Sequence, residues 1–199
     1  MLRAREQDRS ELRRARKAWR RQQGSLDPAR RVFLDESGAK THMTRLRGRA
    51  PRGERVHARA PGGHWQTTTM LSAIRWDGTT ACMTIAGATD TAVCQTYVRE
   101  VLCPTLRPGD LVVRDNLSPH KNAQTLQLIA QVGAEVRFLP AYSPDLNPIE
   151  KRWRKVKQFL RSAAARDWEK LQTAIATALA TVTAKDALNW FASCGYSFV

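Results

Sequence analysis

Three acidic residues stand in surroundings suited to a hard cation: Asp35 in VFLDESG, Asp115 in LVVRDNLSPHK and Glu150 in AYSPDLNPIEKRW. Asp35 and Asp115 each close a short apolar, strand-like run, and Glu150 opens a helical pattern behind a Pro-rich turn. The 34 residues between Asp115 and Glu150 leave room for one helix and one strand. Carboxylates on rigid elements suit Mg²⁺, which takes oxygen ligands and keeps several waters. Two such ions about 3.5–4 Å apart can activate a water or hydroxyl on one side of a phosphorus and stabilise the leaving oxygen on the other. Asp35 would then bridge both ions, with Asp115 and Glu150 each holding one from the side. The chemistry implied is cleavage of a nucleic-acid phosphodiester. Each residue also has a plainer use. Asp35 can start a turn at Ser37-Gly38, and Asp115 with Asn116 can cap the next helix. Glu150, three residues after Asn147, occupies the capping-box position. Capping and ligation are compatible, since both want an ionised group near a helix N-terminus.

The charge distribution agrees with a polyanionic substrate. The net charge of the 199 residues is +15. Residues 1–31 carry +7, residues 40–59 carry +6 and residues 151–166 carry +7, so the remainder is −5. Three basic segments around a mildly acidic remainder fit a nucleic-acid partner better than a merely solvated surface. No apolar run approaches the roughly 20 residues of a membrane span. The N-terminus lacks the apolar core of a signal peptide, and the four cysteines show no C-x-x-C spacing. The expectation is a cytoplasmic protein with free thiols and no membrane partner.

The elements that must position the three acids follow from periodicity and breakers. Residues 5–23 read as a basic helix with Leu12, Ala15 and Trp19 along one side, ended by Gly24 and Asp27-Pro28. Residues 31–35 read as a buried strand. Residues 39–65, rich in Arg, Gly and Pro, read as a projecting loop. Residues 66–76 and 79–86 flank Asp77-Gly78, a hairpin signal. A helix over 90–102, a strand over 111–114, a helix from Ser118-Pro119 to about Gln131 and a strand over 135–139 follow. A helix from Asn147-Pro148 to about Ala165 and an amphipathic tail over 167–192 complete the chain. This order predicts an α/β fold, RNase H-like and so retroviral-integrase-like. Its mixed sheet would have about five strands flanked by helices, since the crossover helices make the later strands parallel to the first. The expected divisions are a basic arm or linker (1–29), a catalytic domain (30–166) and a C-terminal helical extension (167–199).

Other residues near these motifs could contact phosphate. His120 and Lys121 follow the second Asp, although a pair in the first turn of a helix can equally be merely exposed. Arg152, Arg154, Lys155 and Lys157 share a helix with Glu150, and Arg45, Arg47, Arg49 and Arg52 lie in the basic loop. His42, His57 and His64 lack ligand spacing. Trp153, in line with Ile149, Val156 and Leu160, reads as core.

With these segments in view, the chain resembles transposases of the mariner-like superfamily, in the bacterial insertion-sequence branch with a D…D-34-E triad. The resemblance rests on VFLDESG, THMTRLRGRAPRGER, GHWQTTT, PTLRPGDLVVRDNLSPHK and FLPAYSPDLNPIEKRWRKVK, and covers residues from about 26 onward. It implies Mg²⁺ or Mn²⁺, cut-and-paste strand cleavage and transfer on double-stranded DNA, and insertion at TA dinucleotides. It also implies a homodimer on paired element ends, with the basic loop as a clamp between protomers. By motif match, the triad falls on Asp35, Asp115 and Glu150. Relatives carry a helix-turn-helix region ahead of the triad that reads inverted repeats, and residues 1–30 are too few for one. The expectation is cleavage without sequence choice unless a helix-turn-helix partner chain is supplied. Two alternatives stay open: a truncated or domesticated relative that acts only as a nuclease, and a non-catalytic DNA-binding regulator.

Overall fold

The computed structural model describes residues 5–24, 27–57, 59, 61–62, 65–115 and 122–197. Five strands form one mixed sheet: β1 (Arg31–Lys40), β2 (Thr67–Ile74), β3 (Thr80–Ala86), β4 (Leu111–Arg114) and β5 (Glu135–Phe138). Their order is β3-β2-β1-β4-β5. The first three pair antiparallel, and β4 and β5 run parallel to β1. This is the RNase H-like plan expected from the order of elements.

The β2–β3 hairpin turns at Asp77-Gly78. Gly78 takes φ +87°, open to glycine without penalty, and Asp77 accepts from the Thr79 N–H at 2.8 Å. β1 departs from the sequence reading. Ser37-Gly38 is not a turn, because the antiparallel ladder runs unbroken from Phe33↔Ile74 to Lys40↔Thr67 and carries both residues with it. Pairing with an already formed neighbour outweighs the local turn preference of a Ser-Gly step.

Helices cover both faces of the sheet. On one side lie α2 (Thr91–Tyr97), continued by a π-helical turn over Val98–Leu102, and α3 (Ala123–Gln131). They bury Tyr97, Leu102 and Ile129 against Val32, Leu34 and Val112. On the other lie α4 (Pro148–Ala163), α5 (Trp168–Ala180) and α6 (Ala184–Ser193). They bury Trp153, Val156, Leu171 and Phe191 against Phe33, Met70 and Val113. Alternation along β1 divides its side chains between the two layers, with odd positions facing α4. The helical tail is part of the same core as the strands: Phe33, Phe191 and Tyr196 form a ring cluster with centroids 4.9–6.2 Å apart.

Two helix starts differ from expectation. α3 begins at Ala123, capped by Asn122, whose Oδ1 accepts from the Gln124 and Thr125 N–H groups. Ser118 and Pro119, expected to start it, lie outside the described residues. The N-terminal helix α1 (Ser10–Gln23) turns Leu12, Arg16, Trp19 and Gln23 toward the body, and Ala15 is exposed. Trp19 donates to the Tyr196 hydroxyl at 2.9 Å and Gln23 to the Cys194 carbonyl at 3.0 Å.

Residues 41–66 contain no helix or strand among the described residues. The loop closes at its base through Thr41 N–H to the Gln66 carbonyl at 3.2 Å. Arg166 donates to the Thr41 and Met43 carbonyls, tying it to the end of α4. The cysteines described, Cys82, Cys94, Cys103 and Cys194, are all free thiols. No helix among the described residues is long and apolar enough to cross a membrane.

Candidate active site

Asp35 and Asp115 meet through strand register. β1 and β4 pair in parallel from Arg31↔Leu111 to Phe33↔Val113. Each Asp stands two residues beyond the last pair, so the two occupy equivalent places where the strands part. Period-two alternation puts Asp35 on the face of Phe33, beneath α4. Trp153 of α4 donates its indole N–H to Asp35 Oδ2 at 3.2 Å, and the Glu36 N–H donates to Oδ1 at 2.8 Å.

Glu150 arrives from above. Pro148 occupies the first turn of α4, where a missing N–H costs nothing. Ile149, Trp153, Val156 and Leu160 form the buried stripe, and Glu150 beside it is exposed at the cleft mouth. The expected capping box does not form. Asn147 makes no side-chain cap bond, and its buried Oδ1 has no partner among the described residues. The Glu150 carboxylate is therefore not engaged in capping and lines the cleft.

Asp35, Asp115 and Glu150 share one cleft of about 430 Å³, walled by residues 139–144 and Asn147. Burial, and then the negative charge of Glu150, push the Asp35 carboxyl up to about 7; Asp115 adds to the rise. The bonds from Glu36 and Trp153 oppose it. Glu150 is also raised, first by desolvation and further by Asp115, while the Lys157 cation holds it down. Clustered carboxylates that raise one another form an electrostatic site for a cation. Among the described residues no three His, Cys, Asp or Glu side chains stand close enough for a finished metal cage. The donor set, three carboxylates on rigid elements, fits a hard divalent ion that completes its shell with water.

The other site candidates divide. Arg152 cannot reach a substrate: it is 0% exposed and donates to Ser72 Oγ at 2.6 Å under the sheet. Lys155 is engaged by Asp186 at 2.6 Å and by the Thr181 carbonyl at 2.8 Å, tying α4 to α5 and α6. Helical periodicity put these residues on the helix of Glu150, but the helix is covered on more than one side. Arg154 is exposed, and Lys157 lies two turns beyond Glu150, close enough to act on its charge. Arg45, Arg47, Arg49 and Arg52 are exposed. His120, Lys121 and His64 lie outside the described residues.

A contact that the sequence did not reveal supports the cleft wall from outside. Arg16 of α1 makes a two-pronged bond to Asp145, at 2.9 and 2.7 Å, and a third to Ser143 Oγ at 2.7 Å. Gln7 donates to the Tyr142 carbonyl at 2.6 Å. Tyr142 has φ +55°, a conformation that costs a non-glycine residue about 1–2 kcal/mol and persists when neighbours hold it. No local pattern pairs residues 129 positions apart.

Arg16→Ala is expected to loosen α1 by about 1–2 kcal/mol, less than a fully buried charged hydrogen bond because the pair is partly exposed. Protease cleavage within residues 9–24 should then rise roughly 5–30-fold. Unchanged susceptibility would mean that other contacts hold the arm. Burial pushes the Asp145 carboxyl up, but the Arg16 bonds and charge outweigh it and hold it below the usual range. Such a group stabilises docking above its unfolded value near 4, and the contribution fades as pH falls through the lower native value. Acid below about pH 4 should thus mimic the substitution.

Comparison with known proteins agrees with this geometry. A family model described as DDE superfamily endonuclease matches residues 30–172. No match appears among curated proteins. The fold is similar to a Mos1 strand transfer complex, with TM-score 0.71 at 16% identity over 92% of this chain and 57% of that one. It is also similar to a mariner Mos1 paired end complex with Mg, with TM-score 0.71 at 18% identity over 100% of this chain and 66% of the other. The catalytic domain of Mos1 mariner transposase matches with TM-score 0.65 at 14% identity, over 100% and 98% of the two chains. The chain thus spans about three fifths of the proteins in those complexes. With 143 of its 199 residues matched, including all three acids of the cleft, the chain belongs to the DDE superfamily endonucleases.

Proposed function

We propose that this chain is the catalytic part of a mariner-like DNA transposase, which cleaves duplex DNA with a divalent metal and joins the freed 3′ end to a target. One observation carries the reading: Asp35, Asp115 and Glu150 line a single cleft at the ends of adjacent parallel strands, in a chain of this endonuclease family. Asp35, Asp115 and Glu150 would hold Mg²⁺ or Mn²⁺. Bound there, the ions would activate the attacking water or 3′-hydroxyl and neutralise charge on the leaving oxygen. Trp153 fixes the orientation of Asp35 through its indole N–H. Lys157 offsets the Glu150 charge, and with Arg154 it offers cations to the strand backbone beside the cut. The 139–144 wall confines the strand to one approach.

Neighbouring folds include proteins solved as paired-end complexes with Mg and with Mn, which supports duplex DNA and those ions as partners here. The 41–66 loop, Arg-rich and exposed, suits contact with a second protomer on paired ends. Base choice, such as TA targeting, would come from elements beyond the cleft, including a helix-turn-helix partner. The test is a plasmid assay with Mg²⁺ or Mn²⁺ and an oligonucleotide bearing a free 3′-OH. Transposase activity gives nicked plasmid and covalently joined oligonucleotide. Nicking without joining would leave only the nuclease reading, and neither product would sink both. Binding should be strongly electrostatic. With 6–10 phosphate contacts, affinity should fall about 10³–10⁵-fold between 50 and 200 mM salt. A flat titration would contradict a backbone-tracking surface. Removing residues 44–57 should abolish dimers on DNA; dimers that persist while affinity drops would make the loop a DNA contact only.

A further inference from the structure

We propose that the outer face of α1 is a docking surface for the phosphate backbone of a DNA duplex, extending the substrate path out of the catalytic cleft. This rests on the reading of the cleft as a DNA-cleaving site. Arg9, Arg13, Lys17 and Arg21 recur every four residues along α1 and the residue before it. They therefore form one oblique ridge about 18 Å long, at 1.5 Å per residue, that winds about 40° round the helix per step and spans the rise of about five base pairs. All four are exposed, and none has an ion-pair partner among the described residues. Like charges at i,i+4 destabilise a helix by roughly 0.2–0.5 kcal/mol per pair, and two such pairs, Arg13–Lys17 and Lys17–Arg21, follow one another within α1. Arg13 also lies in the N-terminal half of the helix, where the macrodipole disfavours cations. A helix so arranged gains when a polyanion lies along it.

The inner face of the same helix fixes the ridge relative to the chemistry. Gln7, in the turn just ahead of α1, and Arg16 bind the cleft wall at Tyr142 and Ser143, and Arg16 also binds the neighbouring Asp145, whereas Trp19 and Gln23 are bonded near the C-terminus, at Tyr196 and Cys194. α1 therefore starts beside the cleft and runs away from it as a fixed bar. A duplex whose scissile bond enters the cleft can lie along it without any rearrangement of the arm.

The experiment compares the full chain with Arg13→Gln/Lys17→Gln/Arg21→Gln, and with Arg99→Gln/Arg107→Gln as a control on the α2 side of the sheet. Each is titrated with a 30-base-pair DNA duplex at several salt concentrations, after matched melting curves confirm the fold. The slope of log affinity against log salt should become shallower by about 2.7 in the triple variant, three contacts at ~0.9 each, and by little in the control. An unchanged slope, or an equal loss in the control, overturns the proposal. A loss seen with an RNA duplex but not with DNA overturns it in favour of an RNA-binding arm. If the wild-type chain binds no duplex, the catalytic reading itself fails; wild-type binding with an unaltered triple variant fails this inference alone.

Discussion

Asp35→Asn, Asp115→Asn and Glu150→Gln are each expected to abolish metal-dependent strand cleavage, by a factor on the order of 10³ or more, about 4 kcal/mol of transition-state stabilisation. The three carboxylates line one cleft, where burial and the charges of Glu150 and Asp115 raise the Asp35 carboxyl, and burial and Asp115 raise that of Glu150. Each isosteric amide keeps the shape and removes a charged oxygen ligand. On the proposed reading, a missing ligand would displace an ion needed where charge develops on phosphorus, so rate should suffer far more than duplex affinity. Stability should move the other way. Asp35 is held near a pKa of about 7 by burial and by Glu150, so its ionised form strains the folded state at neutral pH. Asp35→Asn relieves that repulsion, and its melting temperature should equal or exceed that of wild type, an instance of a site that trades stability for activity. Millimolar Mg²⁺ should raise the melting temperature of the wild-type chain, because an ion that binds only the folded state stabilises it. It should raise that of the variants much less. A variant that cleaves at near wild-type rate, or responds to Mg²⁺ as wild type does, would remove its residue from the site.

Asp110→Ala is expected to cost about 3–5 kcal/mol of folding stability, without touching the cleft. Asp110 is 3% exposed and binds Arg75 through both oxygens, at 2.5 and 3.3 Å. It also accepts from the Arg107 N–H at 2.7 Å, and Arg75 donates to the Thr105 carbonyl at 2.8 Å. The pair joins the end of β2 to the turn that launches β4, the strand leading to Asp115. Removing the carboxylate leaves a guanidinium 7% exposed with one carbonyl for company. For a domain of this size the loss corresponds to a fall in melting temperature of roughly 6–20 °C. The double variant Arg75→Met/Asp110→Leu should recover most of it, because the cost is an uncompensated buried charge rather than a missing attraction. A single variant that melts within about 2 °C of wild type would show that Arg75 finds water when its partner is gone.

What the sequence by itself determined here was order and local type. Short apolar runs ending in Asp, a hairpin signal at Asp77-Gly78 and helical periods between strands are written in neighbouring residues, and they suffice for the mixed sheet. The meeting of Asp35, Asp115 and Glu150 in one cleft was readable for the same reason. Strand topology forces Asp35 and Asp115 to equal heights, and the Pro-rich turn starts the helix of Glu150 nearby. The tertiary structure decided everything that depends on which side of an element is covered. Ser37-Gly38 looks like a turn until β2 supplies a ladder that carries it through. Asn147 and Glu150 look like a capping box until the cleft takes the carboxylate instead. Arg152 and Lys155 look like their neighbours Arg154 and Lys157, yet the sheet buries one and Asp186 engages the other. The Arg16–Asp145 clasp joins two segments that share no local pattern. Periodicity can rank the faces of a helix by polarity. Only the packing of distant segments determines which cations stay in water, because the energy of a buried or paired charge belongs to its neighbours in space and not to its neighbours in the chain.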